Sequence, residues 1–264
     1  MYRVGRALVV HEIVERTRDR WVLVISVLFA LLAFGVSLYA RSAETTAQGL
    51  AGPSLVTLAS LLVPLVALVL GHDAIVGERE RNTLGLLLSL PVSKAEVVVA
   101  KYLGRLGALA AAVVLGIGVA VAFSPPGQGE VLAGLFVPTL LLGAAFLSIG
   151  VLLSALTFRQ LTAASLVVAT WFLLVFFYDL GILGLLVLTD GAIPTATVSW
   201  LVIANPAGLF RLEMMERYAG AQVLEMLGIS LSPPGFLGSA LLWGAWIVVP
   251  VALSGVRLSY QRTA

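Results

Sequence analysis

Six long apolar runs, each bounded by charge, glycine or proline, constrain this chain more than any other feature: Trp21–Ala40, Leu55–Leu70, Val97–Phe123, Val131–Leu156, Leu161–Leu188 and Phe236–Val256. Each approaches or exceeds the roughly 20 residues that an α-helix needs to cross about 30 Å of hydrocarbon. Backbone polar groups cannot go unpaired in lipid, so uninterrupted runs of this kind must be helices, and the alternating pattern of a β-barrel is not seen. The expected fold is all-α: a polytopic membrane protein with six transmembrane helices in a single membrane domain over residues 1–264. Composition agrees, with 60% hydrophobic and 11% charged residues against roughly a quarter charged in soluble domains.

The cations sort by side. Arg3, Arg6, Arg16, Arg18, Arg20, Arg79, Arg81, Lys94, Lys101, Arg105, Arg159, Arg257 and Arg262 fall at one face of such a bundle, and Arg41, Arg211 and Arg217 fall opposite. The positive-inside rule then puts both termini in the cytoplasm and segment 189–235 outside. The same positions account for the net charge of +2 without nucleic acid. Residues 1–20 carry Val4, Ala7, Leu8, His11 and Val14 near helical spacing, with arginines largely off that stripe, and read as an interfacial helix. The first run is a full span with no clear cleavage site, so it reads as an anchor.

Several chemistries find no residues. Without cysteine there is no disulfide, thiolate metal site or thiol nucleophile. Lys94 and Lys101, the only lysines, lack the glycine-rich lead and following hydroxyl of a phosphate-binding loop, so this chain is not an ATPase. His11-Glu12-Ile13-Val14-Glu15 lacks the second histidine of a zinc hydrolase. Met214, Met215 and Met226 could ligate Cu(I), but their helical spacing with Leu212, Tyr218 and Leu227 reads as packing. No catalytic, metal or cofactor-binding residue is assigned.

The most informative stretch is 73–96. Charges alternate at Asp73, Glu78, Arg79, Glu80 and Arg81. A short apolar turn follows with Leu84, Leu86, Leu87 and Leu88, and Pro91 ends it. Leu84–Leu90 is about 10 Å long as a helix, too short to cross a bilayer, so something must cover it. Ser93-Lys94-Ala95-Glu96 has the form of a capping box and starts a new helix running into the third span. Helix, break, helix, fixed on both sides by spans, suits a segment that transmits a push.

This run, Gly77-Glu78-Arg79-Glu80-Arg81 through Thr83-Leu84, Leu87-Leu88-Ser89 and Pro91-Val92-Ser93, resembles the coupling segment of ABC exporter-type permeases with six spans per subunit. Arg18-Asp19-Arg20-Trp21, Asp73–Glu78, Phe177-Tyr178-Asp179-Leu180, Asn205-Pro206 and Phe210-Arg211-Leu212 extend the resemblance to permeases of the transporters that serve nitrous oxide reductase maturation. The resemblance implies a homodimer, a separate cytoplasmic ABC ATPase that binds ATP and magnesium, a periplasmic partner, and a place in copper-enzyme assembly. Related permeases export lipids, peptides or drugs. An ion-coupled secondary carrier is the rival outside the family, and it would normally place several ionisable groups at the midplane.

Asp179 is the one acidic residue well inside an apolar run, with no evident intramembrane Lys or Arg partner. The preferred reading is that Tyr178-Asp179-Leu180-Gly181 breaks the run and Asp179 caps a shorter outer helix, with translocation or gating as the alternative. Residues 205–228 are expected to form short extracytoplasmic helices with Pro206 in a first turn. Phe210, Arg211, Met215 and Tyr218 would dock a periplasmic partner, or the helices would fold back as a lid on their own membrane domain. Ala192–Ala204 is too short for a seventh span.

Overall fold

The computed structural model describes residues 51–88, 93–124, 126–127, 129–219 and 234–260, together with Val27, Ala30, Leu31, Phe34, Gly35 and Leu38, all helical. The expectations for residues 1–20, for most of Trp21–Ala40 and for 220–233 lie outside the described residues.

Among the described residues the chain is helical without strands, and five helices are long and apolar enough to cross a membrane. α1 (Ala51–Gly71) is followed by two short helices, α2 (Val76–Glu80) and α3 (Leu84–Leu88). Next come α4 (Lys94–Ala122), the short α5 (Gly129–Ala133) and α6 (Phe136–Leu156). α7 (Gln160–Phe172) passes through a π-helical turn, Leu173–Phe177, into α8 (Tyr178–Leu188). α9 (Thr195–Ala204) and α10 (Pro206–Ala219) precede the last span, α11 (Phe236–Tyr260).

α6 is the hub, packed against α1, α4 and α11. Small residues let the backbones meet: a Cβ on Gly71 would lie 2.8 Å from the Gly150 carbonyl carbon, and one on Gly143 would lie 2.6 Å from Leu109 Cδ2. In lipid, where apolar surface alone drives little association, such close approach is what holds helices together. Gly143 and Gly150 therefore serve close helix packing, whereas Gly118 has nothing within 4 Å. Of the three prolines in apolar runs, Pro64 and Pro250 lie inside helices, while Pro138 sits in the first turn of α6, where no intrahelical bond is lost.

The fourth run corrects one boundary. Val131–Leu156 is two elements, because α5 ends at Ala133 before α6 begins at Phe136. α9 has ten residues, about 15 Å by helical rise, and cannot span. α9 and α10 meet at Asn205, whose Nδ2 donates to Leu174 O at 2.6 Å and whose Oδ1 accepts from Ala207 N at 3.0 Å. Pro206 occupies the first position of α10, as expected.

Candidate functional site: the charged end of the bundle

The segment that follows α1 turns back on the bundle and is tied to three spans. α2 begins without a side-chain cap of its own; Ser154 Oγ of α6 accepts from Ile75 N at 2.9 Å and Val76 N at 3.0 Å and so satisfies its orphan donors. α2 ends in a Schellman arrangement. Asn82 adopts φ 56°, its N–H reaches Arg79 O at 3.0 Å, and Thr83 N reaches Glu78 O at 3.0 Å. Asn is among the few L-residues that tolerate this left-handed backbone. The break between α2 and α3 is thus written in Arg81-Asn82-Thr83.

Charge fixes the inner face. Arg105 Nη2 lies 3.1 Å from Asp73 Oδ1, and its Nε donates to Leu70 O at 2.9 Å. One turn earlier on α4, Lys101 Nζ lies 2.8 Å from Glu78 Oε1, and Glu78 Oε2 also accepts from the Thr83 hydroxyl. Arg105 and Lys101 are 0% and 1% exposed, so both cations are withdrawn from solvent. Such burial is tolerable only because each cation meets a carboxylate, and Arg105 two backbone carbonyls as well.

On the other side of α2, Arg79 donates to the carbonyls of Thr157 and, at 3.2 Å, Ala155, and its guanidinium stands 5.0 Å from the Phe158 ring centroid. Glu80 Oε1 accepts from Gln160 N at 2.7 Å, capping the first turn of α7. The capping box at the start of α4 is complete, with Ser93 Oγ accepting from Glu96 N at 3.2 Å and Glu96 Oε2 from Ser93 N at 2.7 Å.

Of the residues assigned to this segment, Asp73, Glu78 and Arg79 therefore point into the bundle, and Leu84 packs against its core. Arg81 and Asn82 are exposed, as is Phe158, over whose ring Arg79 stands. The side chains of Leu86 and Leu88, and Pro91, lie outside the described residues. Lys101, Arg105, Ser154 and Phe158 were not singled out from sequence. The available signal was two cations spaced i, i+4 within an apolar run, opposite two carboxylates five residues apart.

At the other half of the molecule two expectations are corrected. Helix continues from Gln160 to Leu188 with a π turn at Leu173–Phe177, and Asp179 makes no capping bond. Nor is Asp179 unpartnered: Arg211 Nη2 lies 2.5 Å from its Oδ2. α10 folds back against the bundle and carries Arg211 to that depth, which separation in sequence conceals. Tyr178 OH anchors the neighbouring turn by donating to Leu201 O at 2.8 Å.

Phe210 is 0% exposed, and with Ala207, Leu209, Leu212 and Met214 it belongs to the core, so it is no docking residue. Its burial matches the lid alternative. Met215 is exposed, Arg217 donates to Gly134 O at 2.9 Å, and the Tyr218 side chain lies outside the described residues.

The family model described as "ABC-2 family transporter protein" matches residues 6–262. A probable ABC transporter permease protein NosY from Pseudomonas aeruginosa is 34% identical over 258 residues, and one from Stutzerimonas stutzeri is 36% identical over 261 residues. Each alignment covers 92% of this chain and 93% of the relative.

Proposed function

Because this chain belongs to the ABC-2 transporter family as a membrane-spanning permease subunit, we propose that it takes ATP-driven motion from a separate ATPase subunit through residues 73–96. The observation that carries this reading is the two-faced anchoring of α2. Its inner side is bonded to α4, α6 and the start of α7, while Arg81, Asn82 and Phe158 stand exposed at the basic end. A push delivered there has a short, charge-pinned path into three spans. The ATPase supplies the ATP and magnesium sites, and this chain holds no cofactor.

The basic end is the cytoplasmic one in this reading, with both termini inside a bacterial or archaeal inner membrane. Two copies form the transporter. Support comes from α7–α8, whose apolar window is 6% buried within the chain, against 11% for α11 and 44–67% for α1, α4 and α6. Along that uncovered helix lies the half-exposed Asp179–Arg211 pair, which a second copy or a watered crevice would relieve.

The likeness to the NosY permeases leads us to assign the corresponding role, copper-site maturation of nitrous oxide reductase, with a periplasmic protein as partner. The exposed flank of α10, with Met215, is the surface offered to that partner. Affinity purification of the chain from native membranes, followed by mass spectrometry and metal analysis, tests the reading. An ABC ATPase and a periplasmic copper-handling protein should co-purify, and vanadate rather than an uncoupler should stop activity. Recovery of the intact chain without any ATPase would overturn it.

A further inference from the structure

The fifth apolar run changes character halfway along. Up to the π turn it is packed into the bundle: Ala163 and Val167 of α7 and Val175 of the turn are buried, and Trp171 Nε1 donates to Leu61 O of α1 at 3.0 Å. Beyond the turn no residue of α8 is buried, and α8 packs on α9, of which Ile203 alone is buried. Residues 189–194 join the two helices, with Asp190 and Gly191 in the left-handed region at φ 47° and 72°. Tyr178–Ala204 is therefore a helical hairpin that leaves the bundle and returns to it.

Both ends of the hairpin meet at one side chain. In the π turn the Tyr178 N–H bonds to Leu173 O, five residues back, where an α-helix would use Leu174 O. From the far end of the hairpin Asn205 Nδ2 donates to Leu174 O at 2.6 Å, while its Oδ1 accepts from Ala207 N at 3.0 Å and holds the turn into α10. Asn205 is buried, and Ala207, Leu209 and Phe210 just after it belong to the core. Close packing is confined to this base, where a Cβ on Gly208 would lie 2.3 Å from Val202 O. Farther out, the Tyr178 hydroxyl bonds to Leu201 O within the hairpin, and the half-exposed Asp179–Arg211 pair ties it to α10.

Moving elements are drawn from regions with few buried contacts, and they turn on residues at the ends of helices. We infer that Tyr178–Ala204 swings as one unit on the π turn and the α9–α10 junction, and that Asn205 is the positioning residue that sets its resting angle. An arm of the length of α8, about 16 Å, turning through about 20° carries its tip about 5–6 Å. No core residue need move, so the outer half gains a mobile part without repacking α1, α4 or α6. The use of that motion in transport rests on the permease reading; the hinge itself does not.

The chain has no cysteine, so pairs of nitroxide labels can be placed on the full-length protein. It is purified with the subunits that accompany it and diluted with unlabelled chain, so that distances within one copy are read. Val137 on α6 is the reference, Leu188 marks the tip of the hairpin and Leu161 the start of α7, all three exposed. Without nucleotide, double electron–electron resonance should give a Val137–Leu188 distribution about twice as wide as that of Val137–Leu161. Asn205→Ser keeps a hydroxyl for Ala207 N but is too short to reach Leu174 O. It should shift or widen the tip distribution by about 5 Å and leave Val137–Leu161 unchanged. Equal widths in the unaltered chain overturn the hinge, and they decide the matter if Asn205→Ser yields no protein. An Asn205→Ser chain in which neither distribution changes overturns the role of Asn205, as does one in which both change alike, which would make it a residue of the whole core. Because no nucleotide is present, failure here leaves the coupling reading untouched, whereas a complex purified without an ATPase bears on that reading alone.

Discussion

Two of the ion pairs among the described residues are built differently. At the basic end Asp73–Arg105 is sealed, with side-chain exposures of 11% and 0%, and the guanidinium is further bonded to Leu70 O and Lys101 O. At the other half Asp179–Arg211 is open, with 41% and 30% of the two side chains exposed. The first pair joins the turn after α1 to α4, two elements that already pack. The second joins a span with little buried surface to a short helix that folds back on the bundle. A sealed pair is strongly destabilising to break from one side, whereas one open to water, as in a watered crevice, contributes little and can separate. In the coupling reading proposed above, the charged end would serve as a rigid transmission and the Asp179–Arg211 contact as a latch.

The largest effect should come from Arg105→Met, which strands a buried carboxylate and the Leu70 carbonyl. A loss of about 3–5 kcal/mol is expected in unfolding of the detergent-solubilised chain. Adding Asp73→Leu to the same chain should restore much of it, because two apolar residues leave no charge unsatisfied. A loss below about 1 kcal/mol for the single variant would erase the distinction between the pairs.

Lys101→Met comes next. Glu78 is 18% exposed and keeps its bond from Thr83, so water and the hydroxyl can partly serve its carboxylate. A loss of about 1.5–3 kcal/mol is expected from the same measurement. A cost equal to that of Arg105→Met would mean that Glu78 is as sealed as Asp73.

Asp179→Asn should cost about 1 kcal/mol or less, since an exposed ion pair is replaced by a residue that still accepts from Arg211. Transport-linked activity is the sharper readout. A latch that works by charge should lose activity in the Asn variant while its melting temperature holds, and unchanged activity would leave the pair a plain tether.

How much of this was legible in sequence follows from which forces act locally. The later apolar runs appear as helices close to their expected limits, and the Ser93–Glu96 box caps α4, because hydropathy and capping depend on neighbours a few residues apart. Tertiary partners were not legible. Asp73 finds Arg105 and Asp179 finds Arg211 at separations of 32 residues, and nothing in either local sequence names its partner. Phe210 illustrates the same limit: an aromatic residue among charges on a 14-residue helix suggests a docking face, but folding back against the bundle buries it. The π turn was equally hidden, since Leu173–Phe177 is as apolar as an α-helical run and its irregular bonding shows only where Leu174 O accepts from Asn205.

The smallest stability effect is expected at Arg81, and it decides whether the rigid end faces a partner. Arg81 is exposed at the C-cap of α2, immediately before the left-handed Asn82, and its backbone rather than its side chain closes the helix through Gly77 O. Arg81→Glu should therefore shift stability by no more than about 0.5 kcal/mol. Arg79→Ala, two residues earlier, removes bonds to Thr157 O and Ala155 O and should cost more than that on the same assay. If α2 is the contact through which an ATPase drives the spans, the order reverses when complex formation is measured: Arg81→Glu, a charge reversal on the outer face, should weaken ATPase retention while leaving the fold intact. An Arg81→Glu chain that keeps both its melting temperature and its full complement of ATPase would show that the exposed side of this turn is ordinary solvated surface, and would move the search for the coupling contact to the Phe158 loop.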